Sequence, residues 1–292
     1  MGELTSDHLL NDGRLTCLYD GSFEGLLSAI FWVFEHKENP VDIVIEENLQ
    51  SGFDQVITTI DTDIKKAERV KAGIIRSLGY QAYKDVRCVF LSDDERKGRV
   101  MLRFLQYSLK RGARSRSDLA EPIIADFDAL LRAVNREIHY QLQFIRFSEL
   151  RNGIFFAKIH PKANVVPLIM SHFAARLNIQ PFMIFDEKHA LAGIYDCQRW
   201  WMVEAEAVSV PDQCARQDEY QALWQTFYDT IAIEERANLT CRRNFMPKRF
   251  WGDLCEMIPH ELRKGQPQTA TPTACARLAG EQSRKSLQSP LN

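Results

Sequence analysis

Three groups of residues in this chain could do chemistry by their type and spacing. The first is Asp20-Gly21-Ser22-Phe23-Glu24-Gly25, a polar run between an apolar segment and an amphipathic one. A carboxylate just past a strand end, beside a helix N-terminus, stands where open sheets place functional groups. Backbone N–H groups at such a point attract anions, but Asp20 and Glu24 would repel a phosphate. The charges suit an acid/base group or a metal ligand, or else a plain turn in which Asp20 accepts from the Ser22 or Phe23 backbone. The second is His172, which shares helical spacing with Val165, Leu168, Ile169 and Phe173. An imidazole on an apolar stripe is either a general base or a neutral core group bonded to a carbonyl, because burial without a partner disfavours its charge. Asp186, at the end of an apolar strand, is its natural partner. Asp20, His172 and Asp186 are thus the candidate catalytic residues. His160 and His189 lie nearby in sequence, but the three histidines lack a metal-ligand spacing. No metal or other cofactor is expected.

The third group is basic. Eight Lys or Arg and no acid fall between Arg96 and Arg116. Arg236, Arg242, Arg243, Lys248 and Arg249 form a second set beside Phe245, Phe250 and Trp251. Cations neutralise phosphates and aromatic rings stack on unpaired bases, so this interleaving suits a single-stranded or flipped-base surface. The alternatives are a solvated helix face for 96–116 and a helix end packing its rings inward for 245–251. Seven acids and no base between Glu38 and Asp63 would polarise the surface against these cations. Arg146 and Glu149, three apart on an expected strand, would face opposite sides, so one can line a site. The expected nucleic-acid-binding residues are Arg146, Arg242, Arg243, Lys248, Arg249 and Trp251.

These groups need elements to hold them. Leu15 to Tyr19 reads as a strand. Phe23, Leu26, Leu27, Ile30, Phe31 and Phe34 then recur at helical spacing, with Ser22 as N-cap. Helices are expected at about 61–78 and 94–111 and after Pro122, which suits a first turn. From residue 144 the pattern changes. Strands are expected at 144–150, 154–159, 182–186, 191–195 and 200–204, the last three joined by short polar turns as an antiparallel meander. Helices fall at 165–177 and about 216–235. The fold class is α+β, a mostly antiparallel sheet with packed helices. One domain is expected over 1–262, with a helical insertion at about 61–143 and the first strand free to join the later sheet. Residues 263–292 are expected to form a disordered tail.

Composition bounds the rest. The 292 residues are 45% hydrophobic, enough for a core, and 37 bases against 39 acids exclude a polycation. No apolar run is long enough for a membrane span, and no cationic start precedes an apolar stretch, so no secretory signal is expected. Seven scattered cysteines, none in a C-x-x-C pair, fit reduced thiols in the cytoplasm and remove a zinc ribbon or a radical-SAM iron–sulfur cluster.

Five blocks occur in order: YDGSFEGLLSAIFWVFE at 19–35, FIRFSEL at 144–150, GIFFAKIHPKANVVPLIMSHFAARL at 153–177, QPFMIFDEKHALAGIYD at 180–196 and EYQALWQTFYDTIAIEERANLTCRRNFMPKRFW at 219–251. Over about 15–256 they resemble a bacterial family described as DNA metabolism or repair proteins of unestablished activity. Its members are typically encoded beside a radical-SAM protein, and a related version is fused to a uracil-DNA-glycosylase-like domain. The chain departs from the family pattern at Phe250, where Tyr is usual, and at His189, where a basic residue is usual. The resemblance implies a cytoplasmic DNA-binding accessory to a radical-SAM repair or modification partner. Two other readings stand beside it. One is an enzyme acting on DNA or nucleotides through Asp20, His172 and Asp186. The other is a scaffold that only binds the radical-SAM protein.

Overall fold

The computed structural model describes residues 15–49, 55–208 and 215–257. The chain divides into two units, residues 1–212 and 213–292. The expected tail at 263–292 lies outside the described residues.

In the first unit, β1 (Leu15–Leu18) is the middle of a three-stranded parallel sheet, with β2 (Asp42–Val44) on one side and β3 (Val56–Thr59) on the other. A parallel pairing needs a crossover connection, and α1 (Phe23–His36) supplies it between β1 and β2. Ser22 caps α1 by accepting from the Gly25 N–H, as its sequence position predicts. The helix buries Leu26, Leu27, Ile30 and Val33, while Phe34 points outward. β1 therefore does not join the later sheet. Its partners come from the acidic 38–63 stretch.

Four helices follow. α2 (Ile64–Leu78) is capped by Asp63, which accepts from the Lys65 and Lys66 N–H groups. α3 (Tyr80–Phe90) begins directly after Gly79, whose φ of 90° breaks the chain direction. α4 (Lys97–Arg111) and α5 (Pro122–Phe144) stack Phe104 on Phe127 with ring centroids 3.8 Å apart. α4 also lies so close to β2 that a Cβ at Gly98 would stand 2.0 Å from the Ile43 carbonyl oxygen. No helix is expected from sequence where α3 forms, and α4 begins at Lys97 and not near 94.

The second sheet runs β4 (Ser148–Glu149), β5 (Phe155–Ile159), β6 (Phe182–Asp186), β7 (Leu191–Tyr195), β8 (Trp200–Glu204). The meander β6-β7-β8 is antiparallel as expected, but β5 and β6 are parallel, joined through α6 (Val166–Arg176). With the parallel first sheet, this corrects the expectation of a mostly antiparallel architecture: the protein is α+β with one parallel and one mixed sheet. The expected strand at 144–150 shrinks to two residues because α5 continues through Phe144.

In the second unit, α7 (Ala215–Ile231) and α8 (Leu239–Phe245) are followed by short 3-10 turns at 248–253 and 255–257. Phe250 and Leu254 are buried, and the Gln225 side-chain amide donates to the Cys255 carbonyl at 2.8 Å.

Candidate nucleic-acid interface

α8 and the turn after it present the second basic set. Asn238 caps α8 by accepting from the Cys241 N–H at 2.8 Å, which fixes the helix start and so the faces of Arg242 and Arg243. Arg243, Lys248 and Arg249 are exposed and Arg242 is half-buried. Phe245 stands 73% exposed between the two cation pairs. Phe250 and Trp251 turn the other way. Phe250 is buried beneath the Arg249 guanidinium at 4.4 Å, and Trp251, half-buried, donates its indole N–H to the Met246 carbonyl at 3.0 Å. Phe245 is thus the exposed ring of the set, and Trp251 braces the turn that carries Lys248 and Arg249.

Part of the first basic set is ion-paired. Arg96 pairs with Asp94 at 2.8 Å, Arg111 with Asp118 at 3.4 Å, and Arg116 with both Asp85 and Asp128. These ion pairs neutralise part of the 96–116 stretch, while Lys110 and Arg114 are exposed. The two basic sets belong to different units. Arg146 falls between α5 and β4 and donates to the Gln143 and Ile145 carbonyls at 3.2 and 3.3 Å, so it serves the helix end. Arg146 precedes β4, so it and Glu149 do not alternate along one strand.

The three candidate catalytic residues enter separate networks. Asp20, just past β1, accepts from the Ser22 N–H at 2.9 Å, the Ser22 hydroxyl at 2.7 Å and the Thr62 hydroxyl at 2.7 Å. The Ser22 bond above all holds its carboxyl below the usual range. It ties the β1 and β3 ends together, and Gly25 makes room: a Cβ there would lie 2.1 Å from Asp20 Oδ1. His172 is exposed on α6, edge-on to Phe173 with ring centroids 5.3 Å apart. The expectation of an inward imidazole fails because α6 turns Ile169, Met170 and Phe173 to the sheet, leaving position 172 on the outer face. Asp186 is fully buried, but its partner is His189 and not His172.

That pair is what the sequence reading overlooks. His189 Nδ1 lies 2.5 Å from Asp186, and its Nε2 lies 2.9 Å from Asp93 in the α3–α4 loop. Lys188 also contacts Asp93. The Lys188 and His189 N–H groups donate to Asp186 Oδ1 at 3.1 and 3.2 Å, closing a turn between β6 and β7. Burial works against charge on His189, but its hydrogen bonds to Asp186 and Asp93 win and raise its pKa to about 9. Burial likewise opposes ionisation of Asp93, and the bonds from His189 and Lys188 hold its carboxyl below the usual range. With both ring nitrogens occupied, His189 is a charged staple between the helical layer and the mixed sheet, not an accessible base. Lys97 sits alongside. Burial lowers its pKa, and it donates to the Ser92 carbonyl at 3.0 Å. The readable signal is local: His189 follows Asp186 by three residues across a tight turn. Asp93 is far off in sequence and only the fold reveals it. Among the described residues no group of three or more His, Cys, Asp or Glu is arranged to hold a metal ion, and no helix is long and apolar enough to cross a membrane.

Fold and site define an α+β protein whose exposed basic turn borders a capped short helix. Residues 95–256 match the family described as a domain of unknown function, DUF4130, and the chain belongs to that family. The match includes His172, Asp186, His189 and the 242–251 set and begins after the three-stranded sheet that leads to Asp20. No curated protein matches the chain.

Proposed function

We propose that this protein binds DNA as an accessory to a radical-SAM partner in DNA repair or metabolism. The observation that carries the reading is Phe245, 73% exposed and flanked on both sides by cations, Arg242 and Arg243 before it and Lys248 and Arg249 after it. An exposed ring costs stability in water and offers a face for base stacking, while the cations displace the counterions of the phosphate backbone. The ordered sequence blocks described above support the DNA context and the radical-SAM partner.

The test is fluorescence anisotropy of the full chain with labelled single-stranded and duplex oligonucleotides. Affinity is expected to fall between about 50 and 200 mM salt, and the log–log salt slope to drop by about two in the Lys248→Glu/Arg249→Glu variant. Phe245→Ala should weaken single-strand binding more than duplex binding. Absence of binding to either form at the lower salt would overturn the reading. Co-purification of the radical-SAM protein with the chain, in the presence and absence of DNA, separates an accessory from a scaffold.

A further inference from the structure

A groove of about 970 Å³ opens in the first unit, lined largely by residues outside the networks above. Its wall is a row of rings. Tyr80 and Tyr83 have centroids 6.2 Å apart, Tyr83 and Phe23 6.2 Å, and Phe23 and Phe90 5.1 Å. Trp200, from β8, also lines it. Tyr80 is 58% exposed and Trp200 39%, so both offer surface to a ligand. Tyr80, Lys84 and Arg87 recur on one face of α3, four and three residues apart, and both cations are exposed. The Lys84 ammonium stands 5.0 Å from the Tyr80 ring centre.

The groove also contains two carboxylates. Asp85 is engaged by Arg116 at 3.1 Å and by the Gln81 amide at 2.9 Å. Glu24 is exposed, and with Asn135 and Ser171 it gives the wall hydrogen-bonding groups. A bare phosphate has no use for a row of rings, and an apolar ligand has none for the cations. A planar heterocycle joined to an anion uses both: the rings stack, the polar groups meet its edge, and Lys84 and Arg87 meet the phosphate. The volume is in the range of ligand pockets, about 300–1,000 Å³.

We infer that this groove, lined by Tyr80, Lys84 and Arg87 of α3 and by Trp200 of β8, receives an unpaired nucleotide of a DNA strand. The inference rests on the DNA-binding reading and adds a second contact, in the other unit from Phe245.

The test uses the full chain and a single-stranded oligonucleotide carrying one 2-aminopurine, whose fluorescence falls on stacking. A second arm uses free 2-aminopurine deoxynucleoside monophosphate. The wild type is expected to quench the oligonucleotide at saturation. Tyr80→Ala and Trp200→Ala should lose the quench and bind on the order of tenfold more weakly. Tyr80→Phe should retain both, since it keeps the ring, and the exposure of both side chains leaves the core intact. Lys84→Glu/Arg87→Glu should lower the salt slope by about two. Lys248→Glu/Arg249→Glu should weaken binding yet leave the quench at saturation unchanged. Oligonucleotide binding with a quench unaltered by the groove variants would overturn the groove and leave the DNA reading intact. Quenching of the free monophosphate with no binding of the strand would overturn the strand assignment and the DNA reading together.

Discussion

Replacing His189 by Gln should remove a specific pH dependence from the stability of the first unit. The imidazole is only 15% exposed and sits between Asp186 and Asp93 at 2.5 and 2.9 Å. Its folded pKa, raised to about 9, lies above the ordinary 6.5 of an unfolded histidine. A raised pKa means that the folded state holds the proton more tightly. The stabilisation is therefore complete below the unfolded value and is lost as pH climbs through the folded one. Linkage over that interval gives roughly 3 kcal/mol at about pH 6, about 1.4 kcal/mol near pH 8 and almost none near pH 10. Other groups titrate at high pH, but they do so in both proteins, so the difference between wild type and His189→Gln isolates this one. Urea denaturation of the two full-length proteins at those three pH values measures it, and an NMR titration of the His189 ring reads the pKa directly. A wild-type advantage that stays constant from the lowest to the highest pH would refute the staple, as would a ring that titrates near 6.5.

Two glycine replacements should move stability in opposite directions. Gly73 in α2 has nothing within 4 Å of the place a Cβ would take, so Gly73→Ala should gain about 0.5–1 kcal/mol from helix propensity alone. Gly98→Ala should instead cost about 1–3 kcal/mol in urea denaturation, because its methyl would meet the Ile43 carbonyl oxygen and push α4 off β2. Thiol labelling near neutral pH should spare Cys17 and Cys88, whose pKa values burial pushes to about 12 and about 11, while exposed Cys241 reacts, and mass mapping of the labelled peptides reads the order.

Periodicity locates most helices because each buries one stripe against a neighbour. α1, α5 and α6 fall close to where their apolar spacing puts them, and β6, β7 and β8 match their turn-bounded runs. α3 carries the same kind of signal, although the sequence reading passes over it: Ala82, Tyr83, Val86 and Val89 recur at helical spacing and are all buried. β3 is harder, since Val56–Thr59 is a mostly exposed edge with no alternation to read. The basic sets show the limit of counting charges. Arg116 in the 96–116 stretch looks like any other surface cation in sequence, yet it meets Asp85 and Asp128 once the helices pack.

What the chain's order of residues settled by itself was local: the Ser22 cap, the turn after Asp186, the stripes that make helices amphipathic, and the clustering of Phe245 with its cations. Each depends on neighbours within a turn or two, where covalent connection guarantees proximity. Tertiary structure alone decided that β1 pairs with β2 and β3, that His172 turns outward and does not meet Asp186, and that Asp93 completes the bridge from the α3–α4 loop. Those choices compare partners far apart in sequence, and burial determines them by penalising every polar group left without one.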